Sequence, residues 1–223
     1  MNQKIGIFGG TFDPVHWGHL HLAATAKAQA DLDQLLWIPA WVPPHKSDRP
    51  LAEFHHRVAM LQRAIAGDTA STISTIEAER SFPSYSADTW QQLQKQYPAA
   101  QWYWIVGSDT LRTLSHWYRR TELVRHCCWL VAPRSLTPSH PHTAPQIQSL
   151  ARQIACHTCD RLAQESLKLH WQLLEMTPIE ISSTQIRQAV RQKRSLATFV
   201  PDTVADYIAT HQLYQDHYRS PLP

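Results

Sequence analysis

The sequence lacks the features by which secreted and membrane proteins are stabilised or anchored. It has four cysteines in 223 residues, too few for a disulfide framework, and this predicts a reducing, cytoplasmic environment. No run approaches the roughly 20 apolar residues that a membrane span requires. The opening stretch MNQKIGIFGGTF has neither a cationic segment nor a small-residue cleavage site, so no signal peptide is predicted.

Concentrated positive charge is missing as well. The formal net charge is +3, and the Lys and Arg residues are scattered along the chain, whereas nucleic-acid-binding domains carry a basic face. We therefore expect neither a nucleic acid nor a membrane as a partner. Internal repeats and linkers are also absent, so we expect residues 1–223 to form a single domain, long enough to bury a sizeable core.

Short apolar runs recur along the chain, and helical patterns lie between them. Most of the runs stop at glycine or proline, which is typical of buried parallel strands. The alternation predicts right-handed βαβ crossovers. The expected fold is α/β: a single Rossmann-like doubly wound parallel sheet with helices on both faces and a helical C-terminal end. The predicted strands are KIGIF (4–8), QLLWIP (34–39), STISTIEAE (71–79), QWYWIVG (101–107), HCCWLVAP (126–133) and LKLHWQLLE (167–175).

Two common phosphate-binding patterns are missing from the loop that follows the first strand. GIFGGTFDP (6–14) is not G-x-G-x-x-G, and no Gly-Lys-Ser/Thr follows it. The loop nevertheless suits an anion, because Gly9 and Gly10 let the backbone come close and can direct N–H groups at phosphate oxygens. We expect Asp13 to cap the next helix, with Pro14 at the first helical position.

Two histidines follow this loop directly. His16 and His19 are three residues apart, so both lie on one face of the first helical turn, where the helix dipole favours an anion. Zinc is the minor alternative, because the Glu of H-E-x-x-H and nearby cysteines are missing and His21 should point away. A third possibility is that both are ordinary surface histidines.

The stretch ISSTQIR (181–187) predicts a second helix start. Ser182 and Gln185 have the spacing of a capping box, which by itself indicates only a well-formed helix. Arg187 adds a cation in the second turn of this helix, whose N-terminus attracts anions. The two helix starts could therefore bind the two ends of one polyphosphate.

Parallel sheets bind ligands beyond the carboxyl ends of their strands, where the strand order reverses. Three segments of this chain follow predicted strands in that way. We expect them to line one crevice: the loop 9–19, GSD at 107–109 and PR at 133–134.

GGTFDPVHWGH (9–19) together with ISSTQIR resembles the nucleotidyltransferase superfamily with the HxGH motif. The intervening PPHK (43–46), PSYSADT (83–89), VGSDTL (106–111) and HWY (116–118) narrow the resemblance to the bacterial nicotinate-nucleotide adenylyltransferases. The resemblance runs in order from about residue 5 to the tail VPDTVADYIATHQLY, which ends at residue 214.

This resemblance implies an enzyme that transfers the AMP moiety of ATP to nicotinate mononucleotide, giving deamido-NAD and pyrophosphate. It also implies Mg²⁺ bound through the ATP phosphates, with no metal held by protein side chains. Two alternatives stay open. The first is an adenylyltransferase for another acceptor, nicotinamide mononucleotide or phosphopantetheine, and the second is a nucleotide sensor without turnover.

The resemblance further implies roles for individual residues. Ser86 stands where the family more often has Thr, so a hydroxyl is kept at that position. The residues implied in catalysis are His16, His19, Lys46 and Arg187. Those implied in ATP binding are Gly9, Gly10, Thr11, Phe12, Gly107, Asp109, Ser183 and Ile186. Those implied in acceptor binding are Tyr85, Ser86, Thr89, Trp117 and Arg134, with the indole of Trp117 stacked on the pyridine ring.

Overall fold

The apolar runs of the sequence form the strands of one six-stranded sheet in the computed structural model, which describes residues 2–41, 51–80, 84–134, 143–177 and 179–215. The strand order is β3-β2-β1-β4-β5-β6. The pairs β1–β4, β4–β5 and β5–β6 are parallel, and the order reverses between β1 and β4. The strands are β1 (Lys4–Gly10), β2 (Gln34–Pro39), β3 (Ser71–Ile73), β4 (Gln101–Gly107), β5 (Cys127–Ala132) and β6 (His170–Leu173).

Eight α-helices lie between and after these strands in the described ranges. The predicted α/β fold is confirmed, with its Rossmann-like doubly wound sheet and its helical C-terminal end, because α7 and α8 follow the last strand. None of the described helices combines the length and the apolar character that crossing a bilayer requires. The helices are α1 (Trp17–Ala30), α2 (Phe54–Ile65), α3 (Ser86–Gln96), α4 (Ser108–Leu111), α5 (Arg120–His126), α6 (Ala144–Ala163), α7 (Ser183–Arg191) and α8 (Asp202–Thr210).

The chain divides into two compact units, each assembled from separate stretches of sequence. The first contains Met1–Gly9, Leu22–Leu36 and Tyr85–Pro178. The second contains Gly10–His21, Trp37–Ser84 and Ile179–Pro223. The expectation of a single domain over residues 1–223 stays a prediction.

The core of the first unit is built on the paired strands β1, β4 and β5. Trp104 of β4 is in register with Ile7 of β1 and with Trp129 of β5. The two indoles are stacked, with ring centroids 5.9 Å apart. Since parallel strands are covered on both faces, near-continuous apolar runs such as these are their usual sequence.

The structure departs from the expected strands at STISTIEAE. Only Ser71–Ile73 is extended there, and Ile76–Glu79 forms a 3₁₀ turn. The amide of Ala78 donates to the carbonyl of Thr75 at 2.8 Å, so the backbone is satisfied locally rather than by a longer ladder. The short helix α5 was not predicted, because seven residues are too few to show a helical period.

Gly6 generates a test of packing in the first unit. A Cβ added there would lie 2.7 Å from Leu32 Cδ1 and 2.9 Å from Leu35 Cδ1. We expect Gly6→Ala to lower the free energy of unfolding by about 1–3 kcal/mol, measured by urea titration, because extra volume strains a filled core. In the matched control Gly67→Ala the new Cβ meets nothing within 4 Å. An equal loss of unfolding free energy in both variants would contradict the explanation by strain in the core.

Candidate active site

The loop between β1 and α1 is shaped by Phe12, which has a positive φ of 49°. A Cβ at Gly10 would lie 2.9 Å from the Phe12 ring, so a glycine is needed where this ring folds back over the chain. The ring is 1% exposed and meets His19 edge-on, with centroids 5.1 Å apart. The glycine that sequence reasoning assigned to phosphate approach therefore also has a packing role in the second unit.

The helix after the loop begins later than expected. Asp13 does not cap it, because α1 starts at Trp17. The carbonyl of His16 instead accepts from the amides of His19 at 2.9 Å and Leu20 at 3.2 Å. The prediction that Asp13 caps α1 with Pro14 at its first position is therefore wrong. The Asp13 carboxylate is engaged by other parts of the second unit.

His16 and His19 lie side by side at the start of α1, as their spacing predicts. Their rings are stacked, with centroids 3.7 Å apart and an interplanar angle of 25°. A Cβ at Gly18 would fall 3.1 Å from the His16 ring, so the glycine between them leaves room for that ring. In the described parts of the chain, no group of three or more His, Cys, Asp or Glu side chains is placed to hold a metal ion.

The start of α7 is joined to the same loop by two hydrogen bonds. The hydroxyl of Ser183 donates to the carbonyl of Pro14 at 3.0 Å. Nη1 of Arg187 donates to the carbonyl of Asp13 at 2.6 Å. Within the second unit, the structure thus brings the predicted phosphate loop and the predicted cation together.

The capping box at this helix start is confirmed. The Ser182 hydroxyl accepts from the amide of Gln185 at 3.3 Å, and the Ser182 amide donates to Oε1 of Gln185 at 2.8 Å. Ile186 is fully buried in the next turn. The box fixes the first turn of α7, and the helix in turn presents Arg187.

Arg57 is a buried structural cation beside the candidate site that sequence reasoning missed. Its guanidinium is buried in α2, and burial lowers the pKa of Arg57 from its usual value. Because arginine stays charged in proteins, it keeps all its N–H donors. One signal in the sequence could have identified it: Arg57 comes three residues after Phe54, so a charged residue lies on the otherwise apolar face of α2. The guanidinium donates to four carbonyls, those of Thr11 at 2.9 Å, Ala40 at 2.7 Å, Trp41 at 3.1 Å and Ala52 at 3.1 Å.

Asp13 is the second buried charge of this unit. The residue is 2% exposed, and Oδ1 accepts from the Tyr214 hydroxyl at 2.8 Å and the Ala52 amide at 3.2 Å. Oδ2 has no hydrogen-bond partner among the described residues and lies 3.7 Å from Nη1 of Arg187. Burial raises the pKa of Asp13, and the Tyr214 hydrogen bond and the Arg187 and Arg57 cations oppose that rise.

In the first unit, Gly107 ends β4 and Asp109 follows the strand, as predicted. A Cβ at Gly107 would clash with Oδ1 of Asp109, so this position of the carboxylate leaves room only for a glycine. The same Oδ1 is buried without a hydrogen-bond partner in the described chain. Oδ2 lies 3.6 Å from Nη1 of Arg134, so the structure pairs these two predicted site residues.

Of the residues predicted to bind the acceptor, Arg134 follows β5, and the others lie around the start of α3 or after α4. Tyr85 precedes α3, whose first residue is Ser86, and the hydroxyl of the buried Thr89 donates back to the Tyr85 carbonyl at 3.3 Å. The 37% exposed Tyr85 ring lies against the 52% exposed ring of Tyr118, with centroids 4.5 Å apart. Sequence reasoning did not single out Tyr118, although it follows Trp117 directly.

Trp117 is half-buried rather than free on the surface. Its Nε1 donates to the Thr113 hydroxyl at 3.0 Å, and its ring meets those of Trp104 and Trp129 edge-on at 6.3 and 5.7 Å. These contacts fix the orientation of the indole and leave part of it accessible. The accessible part is what stacking on a ligand would need.

Lys46 lies outside the described residues. Gly9 belongs to the first unit and Gly10 to the second. The predicted phosphate residues from Gly10 onward, with α7, belong to the second unit, whereas Asp109, Arg134 and the aromatic residues belong to the first. The expectation that both sets line one crevice stays a prediction.

Comparison with known protein families and sequences gives a consistent result. The cytidylyltransferase-like family model matches residues 7–189. A protein of Trichormus variabilis, named probable nicotinate-nucleotide adenylyltransferase, is 40% identical over 214 residues, covering 96% of this chain and 98% of its own. A protein of Pseudomonas fluorescens with the same name is 37% identical over 216 residues, covering 96% and 99%.

Solved structures agree with these sequence relationships at the level of the fold. The structure titled Plasmodium falciparum nicotinic acid mononucleotide adenylyltransferase complexed with NaAD has a TM-score of 0.72 and covers 95% of this chain and 97% of its own. Its sequence identity is 17%. A putative nicotinate-nucleotide adenylyltransferase from Vibrio parahaemolyticus gives a TM-score of 0.62, at 17% identity and 96% coverage of both chains.

Proposed function

Because the chain belongs to the cytidylyltransferase-like family, among relatives named nicotinate-nucleotide adenylyltransferase, we propose that it transfers AMP from ATP to nicotinate mononucleotide. The products are deamido-NAD and pyrophosphate. One observation carries the proposal beyond family membership: the stacked His16 and His19 rings follow the loop after β1, and the guanidinium of Arg187 donates to the Asp13 carbonyl of the same loop. Imidazole and guanidinium donors at helix starts are the groups that bind a polyphosphate.

The reaction needs no covalent intermediate on the protein. An oxygen of the nicotinate mononucleotide phosphate attacks the α-phosphorus of ATP, and a new P–O bond forms. The bond from the α-phosphorus to the bridging oxygen breaks, and pyrophosphate leaves with the electron pair. Since the nucleophile is already anionic, positioning and charge stabilisation account for catalysis.

We assign His16, His19, Arg187 and Lys46 to the ATP phosphates, where donors stabilise the charge that builds up on the leaving group. The backbone of residues 9–12 is assigned to the nucleotide, with Gly107. Asp109 is assigned to a ribose hydroxyl, and its buried Oδ1 without a partner among the described residues supports that role. Ser183 and Ile186 are also assigned to ATP binding, because they lie in the first turns of α7, the helix that carries Arg187.

We assign the acceptor to Tyr85, Ser86, Thr89, Trp117 and Arg134. The partly accessible indole of Trp117 and the exposed Tyr85 directly before α3 support this assignment. A pyridine ring can stack on the indole, and backbone N–H groups near Tyr85 and Trp117 can bind the nicotinate carboxylate.

Mg²⁺ is part of the proposal as the ion that ATP brings with it. The side chains around the loop fit this arrangement, because two imidazoles and a guanidinium suit phosphate oxygens, whereas Mg²⁺ prefers carboxylates and water. The nearby Asp13 carboxylate is already engaged by Tyr214 and Ala52. When bound, the ion would withdraw charge from the phosphate oxygens.

We further propose that residues 1–223 work as one nucleotidyltransferase domain in the cytoplasm. The family model supports the first point, because its match over residues 7–189 includes stretches of both units. All four cysteines are free, which agrees with a reducing compartment.

The proposed function is tested by pyrophosphate release from ATP with a panel of acceptors. We expect kcat/KM for nicotinate mononucleotide to exceed that for nicotinamide mononucleotide at least about tenfold. The amide would leave carboxylate-binding donors unpaired, at a cost of about 1–3 kcal/mol per group. Equal kcat/KM values for the two mononucleotides would refute nicotinate mononucleotide as the preferred acceptor and leave the assignment as an adenylyltransferase standing. A preference for phosphopantetheine would have the same consequence. ATP binding without turnover on any acceptor would indicate a sensor.

The histidine pair gives a second expectation. His16→Ala and His19→Ala should each lower kcat by about 100-fold or more, because each removes a donor to charge that develops in the transition state. His21→Ala, two residues further along α1, is the matched control and should stay near wild type. Steady-state kinetics on variants with unchanged circular dichroism decide the point. Near-wild-type rates would overturn the assignment, and tightly bound zinc in the purified protein would favour the metal alternative.

Trp117 is expected to act on the acceptor rather than on ATP. Trp117→Ala should raise KM for nicotinate mononucleotide by several-fold while KM for ATP changes little, because stacking contributes about 0.5–1.5 kcal/mol beyond burial. Trp117→Phe keeps an aromatic face and should give an intermediate value. An equal rise in both KM values would show that the indole matters only for packing against Trp104 and Trp129.

A further inference from the structure

Tyr214 reaches Asp13 from the other end of the chain. It lies four residues after the last residue of α8, and both Gln212 and Tyr214 have positive φ, at 50° and 65°. Such a backbone costs free energy in residues other than glycine, and it persists where surrounding contacts hold it. Here the result is that the Tyr214 ring is buried, 5% exposed, with its hydroxyl 2.8 Å from Oδ1 of Asp13.

Asp13 in turn restrains Arg187 through two of its groups. Its carbonyl accepts from Nη1 at 2.6 Å, and its carboxylate oxygen Oδ2 lies 3.7 Å from the same nitrogen. Nη2 of Arg187 donates to the Thr184 hydroxyl at 3.1 Å. The guanidinium is therefore held on its protein side, and it retains further N–H groups for an anion.

We propose that Asp13 is the positioning residue for Arg187 and that Tyr214 positions Asp13, so that residues 211–214, directly after α8, are part of the ATP-binding apparatus. The inference rests on the assignment of Arg187 to the ATP phosphates proposed above. It adds two residues that do not touch the reacting atoms and act through Arg187.

Stability alone does not account for this arrangement. Removing a carboxylate from water is costly, and apolar side chains of similar volume often serve a core as well or better. The groups that face the Asp13 carboxylate are the Tyr214 hydroxyl, the Ala52 amide and the cations of Arg187 and Arg57. They come from the two stretches of the second unit that do not contain Asp13, and all favour the ionised carboxylate.

The protonation state of Asp13 follows from these contacts. Burial raises the pKa of Asp13, whereas the Tyr214 hydrogen bond lowers it. Burial, followed by the Asp13 carboxylate, raises the pKa of Tyr214 well above its usual value, so the phenol stays protonated and donates. As pH falls through the pKa of Asp13, the carboxyl becomes neutral and its attraction for Arg187 is lost. Without the Tyr214 hydroxyl, this loss begins at a higher pH.

The decisive variant is Tyr214→Phe, which removes the hydroxyl and keeps the ring. We expect the dissociation constant of ATP to rise about fivefold, the factor equivalent to a hydrogen bond of about 1 kcal/mol. KM for nicotinate mononucleotide should stay within about twofold. In the pH profile of kcat/KM for ATP, the acidic limb should move to higher pH. Titration of the substrate is the same in every variant, so a difference between variants comes from the protein.

Tyr207→Phe is the matched control. It removes another largely buried tyrosine hydroxyl of the second unit, one that lies 2.9 Å from Nδ1 of His56. We expect it to alter thermal stability without changing the ATP dissociation constant or the acidic limb. If Tyr214→Phe behaved in the same way, Tyr214 would be only structural and the proposal would be overturned.

A double-mutant cycle tests whether Tyr214 acts through Arg187. In the Arg187→Ala background, Tyr214→Phe should have no further effect on ATP binding. A fivefold effect that persists there would refute the proposal. Should Tyr214→Phe be unfolded at the assay temperature, the cycle is run with Asp13→Asn, which keeps the side-chain shape and should remove the acidic limb.

Equilibrium ATP binding, measured by calorimetry, needs no acceptor and separates the two proposals. A wild-type protein that binds ATP but transfers nothing to nicotinate mononucleotide would refute the proposed function and leave this inference standing. A wild-type enzyme with the expected activity, whose Tyr214→Phe variant binds ATP normally, would refute the inference alone.

Discussion

The guanidinium of Arg57 is the interaction on which the candidate phosphate site depends. Residues 11–16 form no helix or strand, so their buried backbone groups need partners from elsewhere. Arg57 donates to the carbonyl of Thr11 in this loop and to the carbonyls of Ala40, Trp41 and Ala52. A single buried cation thereby fixes the loop after β1 together with the chain that leaves β2.

The same loop shows how packing and chemistry share residues. Phe12 turns back over Gly10 and meets His19 edge-on, and His16 packs above Gly18 and stacks on His19. Rings held on several sides lose little freedom when a ligand binds, so a site built this way is organised in advance. The glycines of the motif follow from these ring positions as much as from the approach of a phosphate.

Sequence patterns predicted what is local in this protein and missed what is distant. The capping box at Ser182 and the adjacent His16 and His19 depend on spacings of three residues, and a helix converts such spacings directly into contacts. Arg57 and Tyr214 meet their partners across 46 and 201 positions, respectively. No periodic pattern in the sequence predicts contacts between residues that are so far apart. The failed prediction for Asp13 has the same origin, because a distant tyrosine engages the carboxylate that local rules assign to a helix cap.

Arg57 and Arg187 also show how a fold separates a structural cation from one that can bind a ligand. The 2% exposed Arg57 donates four hydrogen bonds to carbonyls, which leaves one of its five N–H groups. Arg187, with a 20% exposed side chain, donates one bond to a carbonyl and one to a hydroxyl. Its distance of 3.7 Å from the Asp13 carboxylate exceeds hydrogen-bond range. Under the roles proposed above, the carboxylate orients this cation without pairing with it fully, and an incoming phosphate would meet a charge that is fixed in place and still attractive.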